Sequence, residues 1–246
     1  MKPVLVLQHF SADGPAYLAR WLAGQGVAAD VRNTEAGDPY PDDLSGHGAL
    51  AILGGEMSAN DPLPSLRRAE ALFLEALRRG VPTIGHCLGG QLMARALGAR
   101  IGDSPAPEVG FVEMRIRAEA GATAAAWFGD EALRAAHCRV FQWHYEAFDL
   151  PVGVQWLASS EACPHQAFAV GPHLAMQFHI ELDAEKLGRW SLDDGQRYLS
   201  ARAAHPSTVH SGEQMRQDGA ALLAGHHALA DRIYGHWLGA AAAVGR

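Results

Sequence analysis

Thr83-Ile84-Gly85-His86-Cys87-Leu88-Gly89-Gly90-Gln91 is the stretch on which the reading of this chain turns. A short β-branched run reaches a Cys, two glycines follow, and the amphipathic segment Leu92-Met93-Ala94-Arg95-Ala96-Leu97 begins at once. That pattern predicts a strand, a sharp turn and a helix, with one thiol at the tip of a sheet against a helix N-terminus. Backbone N–H groups and the helix dipole favour negative charge there, so the position favours a thiolate, the nucleophilic form. Far downstream, Met176-Gln177-Phe178-His179-Ile180-Glu181 offers a His and a carboxylate two residues apart. In an extended strand, positions i and i+2 face the same side, so Glu181 can hold the imidazole of His179 while His179 serves Cys87. These are the components of cysteine-based acyl transfer.

Outward from that turn, the first half of the chain alternates strands and helices. Val4–Leu7, Val27–Val31 and Ala49–Leu53 are apolar strand candidates; Ala16–Ala23 and Leu66–Arg79 carry helical spacing, the latter stopping at Gly80. Such alternation over short loops implies parallel pairing and an α/β core. From about Gly110 the candidates Phe111–Arg117, Cys138–Trp143, Val154–Ser159, Gln166–Val170 and Leu174–Phe178 follow one another with little helix between them. They read as a mixed or antiparallel extension of the sheet. After Glu181 the chain turns helical again, with Met215, Leu222, Leu223, Leu229, Ile233 and Trp237 near one face of a helix or helix pair over about 211–242, and an Ala-rich tail, Ala240–Arg246, expected to fray. The division expected is 1–185 as the α/β domain and 186–246 as a helical appendage packed on it.

Bulk properties narrow the function. The 246 residues are 48% hydrophobic and 19% charged, enough for one sizeable core. A formal net charge of -7 disfavours a general nucleic-acid binder, which needs a basic face. Three cysteines (Cys87, Cys138, Cys163) make no even disulfide framework and suit a reducing compartment. The opening Met1–Leu7 turns polar at Gln8-His9, too soon for the apolar core of a signal peptide, and no apolar run approaches the ~20 residues of a membrane span. The expectation is a soluble, cytoplasmic protein with no membrane partner.

Gly54-Gly55 closes the third strand, where open α/β sheets place ligands; it reads either as a pair of unobstructed backbone donors facing Cys87 or as an ordinary strand-to-loop turn. Taken with Gly85–Gln91 and His179–Glu181, it completes an order that resembles the class I glutamine amidotransferases, most of all their stand-alone, GMP-synthase-like members. The resemblance covers roughly residues 1–185. Gly85-His86-Cys87-Leu88-Gly89-Gly90-Gln91 matches the family's Gly-x-Cys-x-Gly-x-Gln elbow, and Gln177-Phe178-His179-Ile180-Glu181 is similar to its Gln-Phe-His-Pro-Glu. Trp143-His144-Tyr145-Glu146-Ala147-Phe148-Asp149-Leu150-Pro151 is similar to a substrate-side loop of the GMP-synthase-like branch.

The resemblance implies a flavodoxin-like fold and a Cys–His–Glu triad that removes the side-chain amide of glutamine. Carried over, Cys87 is the nucleophile, His179 the base and then the acid, and Glu181 the residue that orients His179. The N–H groups of Leu88 and Gly55 form the oxyanion hole, and Gln91, His144 and Tyr145 contact the substrate. Neither metal nor organic cofactor is called for. The chain departs from the pattern at Ile180 (usually Pro), at Glu56-Met57-Ser58 within a Gly-Gly-Pro-x-Ser type loop, at His86, and at Tyr145-Glu146 within a His-x-Asp element.

His86 reads as a packed core His pointing away from Cys87. His226-His227, with His210 and His236, lack ligand spacing and read as a solvated helix face rather than a metal site. Cys163 reads as a loop residue and Cys138 as core; Trp190, Tyr234 and Trp237 read as packing the last helices onto the α/β core. The expected activity is hydrolysis of a γ-glutamyl amide through a thioester on Cys87, with glutamine or another γ-glutamyl small molecule as substrate. No Gly-x-x-x-x-Gly-Lys-[Ser/Thr] loop is present, so ammonia transfer would need a separate synthetase subunit. Two alternatives stand beside hydrolysis: such a glutaminase subunit, and a non-catalytic module that binds γ-glutamyl ligands. A protease-like cousin would take its His from the position after the Cys, which here is Leu88. Oligomeric state is not legible in the sequence.

Overall fold

Nine strands form one sheet in the computed structural model, which describes residues 2–244 and side chains through residue 241. The strands are β1 (Val4–Gln8), β2 (Ala29–Asn33), β3 (Ala49–Ile52), β4 (Thr83–His86), β5 (Ile101–Ile116), β6 (His137–Phe148), β7 (Gln155–Ser159), β8 (Ala167–Val170) and β9 (His173–Met176). Their order is β2-β1-β3-β4-β9-β8-β7-β5-β6. Pairing is parallel from β2 to β9 and antiparallel from β9 to β6. The parallel part has the strand order of a flavodoxin-like sheet, with the chain leaving β1 on one side for β2 and on the other for β3. That reversal opens a crevice at the carboxyl ends of β1, β3 and β4, where Gln8-His9, Gly54-Gly55 and Cys87 stand.

Burial on both faces explains the apolar strands. Val4, Val6, Ala49 and Ala51 pack on one side with Leu18 and Leu22 of α1 (Ala16–Gly24), while Leu5, Leu7, Leu50 and Ile52 pack on the other with α2 (Pro64–Arg79) and α3 (Leu88–Ala96). The edge strand β2, Ala-Asp-Val-Arg-Asn, is polar and only partly buried, as an edge requires. It starts two residues later than Val27 because the Val27 N–H bonds back to Leu22 O and closes the end of α1.

The antiparallel half is longer than its apolar pattern suggests. β5 and β6 pair from Ile101↔Phe148 to Arg115↔His137, with an irregularity between Asp103 and Glu108 that accommodates Pro105 and Pro107. The segment Trp143–Phe148, expected as part of a loop, is therefore strand, and only Asp149–Pro151 lies beyond it. Between β5 and β6 the chain forms two short helices, α4 (Gly121–Phe128) and α5 (Asp130–Ala135), not anticipated from the strand-rich pattern. Alanines give them helix propensity, and Trp127 and Phe128 anchor α4 in the core.

The last 60-odd residues form α6 (Ala184–Trp190), α7 (Gln196–Ala204) and α8 (Gly212–Val244). Ile233, Tyr234 and Trp237 of α8 enter the same buried cluster as Val4, Ile84 and Met176. Leu187, Tyr198 and Met215 enclose a further cluster with Val109, Phe111 and Phe141 of the hairpin. The helix continues through the tail expected to fray as far as Val244; residues 245–246 lie outside the described residues.

Candidate functional site

The turn between β4 and α3 puts Cys87 at φ 47°, ψ −108°, one of three non-glycine residues with positive φ among the described residues. Such a backbone costs on the order of 1–3 kcal/mol and persists only where its surroundings fix it. The Cys87 N–H donates to Met176 O at 2.9 Å on the neighbouring β9, and the Gln91 N–H returns to Cys87 O at 3.0 Å. Gly89 and Gly90 make this approach possible: a Cβ on the first would collide with Ile52 O and one on the second with Met176 O. The thiol is 6% exposed and lies 3.6 Å from Trp143 O and 3.7 Å from Gln177 Nε2. As the first residue of α3, Leu88 presents an N–H with no intrahelical acceptor. Gly55 borders the same cavity as Cys87, which measures about 600 Å³.

His179 reaches that cavity from the segment after β9. Its Nδ1 pairs with Glu181 Oε1 at 2.7 Å, which fixes the tautomer and leaves Nε2 without a hydrogen bond to any other group. Burial alone would lower the His179 pKa. The Glu181 charge, helped by the adjacent Cys87 thiol, outweighs burial and holds it well above the ordinary imidazole value. Glu181 is fully buried, which by itself raises its pKa; the charges of Lys186, His179 and His86 outweigh burial and hold it well below the ordinary carboxylate value. The His179–Glu181 pair is formed as expected, but on bends and a turn after β9 and not on the extended strand expected to carry it. His86 is a core residue, as expected, but its Nε2 also stands 3.8 Å from Glu181 Oε2. Burial lowers the pKa of His86 and favours its neutral form.

Lys186 is the residue that sequence reasoning missed. It is one of only two lysines in the chain, it is 0% exposed, and its Nζ contacts Asp13 Oδ1 at 2.5 Å and Glu181 Oε1 at 3.2 Å. Burial lowers its pKa, but the two carboxylates more than offset this and raise it. A chain of charge therefore runs Asp13–Lys186–Glu181–His179 behind the thiol. The one signal in the sequence was a Lys five residues after Glu181, which a helix starting at Ala184 carries back over the site.

The paired histidines correct the reading of a solvated face. His226 is 2% exposed and its Nε2–H donates to His179 O at 2.9 Å, while His227 donates to Leu182 O at 2.9 Å and stacks on Tyr17 at 3.8 Å. Burial pushes His226 down to about 4, so it is neutral. Helix α8 thus grips the backbone of residues 179–182.

Gln91, His144 and Tyr145 all border the cavity. Gln91 Nε2 donates to Glu146 O at 3.0 Å. His144 Nε2 bonds Glu108 Oε2 at 3.0 Å, within a buried network that includes Gln166 and Gln142, and its Nδ1 has no protein partner. Two trios bring potential metal-ligand atoms within 4.8 Å of one another: Glu108, His144 and Cys163, and Asp13, His179 and Glu181. The second already holds a cation, the Lys186 ammonium. The first is tied together by Gln166 and Glu108 hydrogen bonds, with Cys163 pushed up to about 11 by burial, a poor thiolate donor.

Comparison with known proteins bears on this site. The family model for glutamine amidotransferase class-I matches residues 17–195. The glutamine amidotransferase-like protein YfeJ of Salmonella typhimurium is 30% identical over 189 residues, 74% of this chain and 75% of its own length. The GMP synthase (glutamine-hydrolyzing) of Aeropyrum pernix is 27% identical over 219 residues, 87% of this chain; the chain spans 39% of that enzyme's length. A solved structure of a glutamine amido transferase from Methylobacillus flagellatus superposes with a TM-score of 0.87 at 32% identity, covering 98% of this chain and 95% of that one. With a match spanning β4, the Cys87 turn and the His179–Glu181 pair, the chain belongs to the class I glutamine amidotransferase family.

Proposed function

We propose that the protein hydrolyses a γ-glutamyl amide through a thioester on Cys87. The observation that carries this reading is the His179–Glu181 pair at 2.7 Å beside a thiol held on a strained strand-to-helix turn, with Cys87 and His179 lining one cavity. His179 Nε2 takes the thiol proton, and Cys87 Sγ attacks the amide carbonyl. The resulting oxyanion sits at the N–H groups of Leu88 and Gly55, each donor worth about 3 kcal/mol in the transition state. The C–N bond breaks as His179 returns the proton to the departing nitrogen, and water, deprotonated by the same imidazole, then cleaves the thioester. Glu181 keeps the ring oriented and stabilises its cation. Gln91, Tyr145 and the free Nδ1 of His144 contact the γ-glutamyl group.

A second reading, a glutaminase that supplies ammonia to a separate synthetase, draws support from the GMP synthase relatives, of which the chain spans about a third. The chemistry at Cys87 is the same in both. Hydrolysis of glutamine and of small γ-glutamyl amides by wild type and by Cys87→Ala tests the shared step. The variant is expected to lose about 10⁴-fold or more in kcat; turnover retained in Cys87→Ala would overturn the assignment, and binding without turnover in wild type would make the protein a ligand-binding module.

A further inference from the structure

The acyl side of the cavity is accounted for by Cys87 and its neighbours, yet the cavity extends well past them. Its volume, about 600 Å³, is in the range of sites that enclose drug-sized ligands and is generous for glutamine. Much of the additional wall is apolar, with charged side chains such as Glu56, Arg189 and Arg197 around it. Phe10 and Met57 come from the loops after β1 and β3, Trp143 from β6, and Trp190 and Leu192 from the end of α6 and the turn after it. Leu192 is 74% exposed, one of four exposed large apolar side chains among the described residues.

The position of Trp190 says which end of the substrate meets this wall. Its ring stands edge-on to His179, centroids 4.9 Å apart at 86°, and packs against Trp143 at 5.6 Å. His179 is the group that protonates the departing nitrogen, so whatever that nitrogen carries must pass beside Trp190 and Trp143. Ammonia would need no such surface. Asp193 and Asp194 stand on the same cavity together with Arg189 and Arg197, so the charges around the tryptophans are of both signs and the apolar surface is what distinguishes this side.

Resting on the reading of Cys87 given above, we infer that the favoured substrate is the γ-glutamyl amide of an aromatic alkylamine, its ring held between Trp143, Trp190 and Leu192 on one side and Phe10 and Met57 on the other. The reaction balances as water plus amide giving glutamate plus the free amine, with no other reactant. Such rings gain from stacked or edge-on contact as well as from burial. The chain's own residues Arg189, Trp190 and Leu192 to Gly195 then line the leaving-group side.

The test compares kcat/KM for γ-glutamyl-phenethylamide, γ-glutamyl-methylamide and glutamine in wild type, Leu192→Asp and Phe10→Ser. The aromatic amide is expected to exceed the methylamide by about tenfold or more, the scale set by several methylene-sized contacts, and the ratio should fall several-fold in both variants. A general loss of folding would lower all three substrates together and leave the ratio unchanged. Equal rates for the three amides in wild type, or a ratio unmoved in both variants, would overturn the inference while leaving the Cys87 chemistry standing. Turnover of none of the three would overturn both.

Discussion

In the proposed reaction Cys87 and His179 do the chemistry, and the residue that makes their arrangement tenable is Lys186. Four ionisable groups, Asp13, Lys186, Glu181 and His179, are buried together, and such a set holds only if charges are matched. Lys186→Met would leave Asp13 and Glu181 with one fewer cation, at a cost of about 3–5 kcal/mol, seen as a lower denaturation midpoint. A purely structural role would stop there. Because Lys186 also holds Glu181 ionised, the acid limb of the pH–rate profile in Lys186→Met should move to higher pH, and Asp13→Asn in the same background should recover stability without restoring that limb. The sequence announced Cys87, His179 and Glu181 because each sits inside a local pattern: a turn between strand and helix, or a His and a carboxylate two residues apart just past a strand end. Lys186 belongs to no such pattern. Its meaning arises only when α6 folds back over the end of β9.

At the scale of elements, α8 is more than packing. It fills the core with Ile233, Tyr234 and Trp237, and it holds the His179–Leu182 backbone through His226 and His227. The two contributions separate by mutation. Trp237→Ala, at a site 0% exposed, is expected to cost about 3–5 kcal/mol by thermal or denaturant unfolding while leaving KM near wild type in the folded fraction. His226→Phe leaves the His179 carbonyl without its donor, about 1–3 kcal/mol, and should lower kcat because the backbone that aims the imidazole is loosened. The apolar period of α8 was readable in the sequence, whereas the histidines on it looked like a wet face, because a polar ring bonding a buried carbonyl is indistinguishable by spacing from one in water. β5 and β6 were likewise shortened in prediction: Pro105, Pro107 and the polar residues of a hairpin flank hide strand that pairs across an irregular register.

For the whole molecule, the buried charges make stability a function of pH, and the two shifts act at opposite ends. His179, raised above its ordinary 6.5, contributes fully below that value and loses its contribution as pH rises through its folded-state pKa. Glu181, lowered below its ordinary 4.5, contributes fully above that value and loses its contribution as pH falls through its own. Both are present together between 4.5 and 6.5, so the Tm from thermal scans is expected to peak there. In Glu181→Gln the alkaline decline should shrink, since the Glu181 charge no longer offsets burial and only Cys87 still raises His179. A wild-type Tm that fell neither as pH drops below 4.5 nor as it rises above 6.5 would count against the charge arrangement. The α/β architecture itself was legible because parallel strands buried on both faces must be apolar throughout, and Val4–Leu7 and Ala49–Ile52 are. The division into a sheet domain and an appendage is less apparent in space, where helices from residues 186–241 share clusters with the sheet.

If a γ-glutamyl group passes through Cys87, acid-quenching the wild-type protein during turnover of a γ-glutamyl amide, followed by intact-mass and peptide mapping, will trap it. The expected product is a protein heavier by one γ-glutamyl acyl group, mapped to the peptide containing Cys87 and released by hydroxylamine. Steady turnover with no adduct and undiminished activity in Cys87→Ala, or an adduct on Cys138 or Cys163 instead, would rule out Cys87 as the nucleophile.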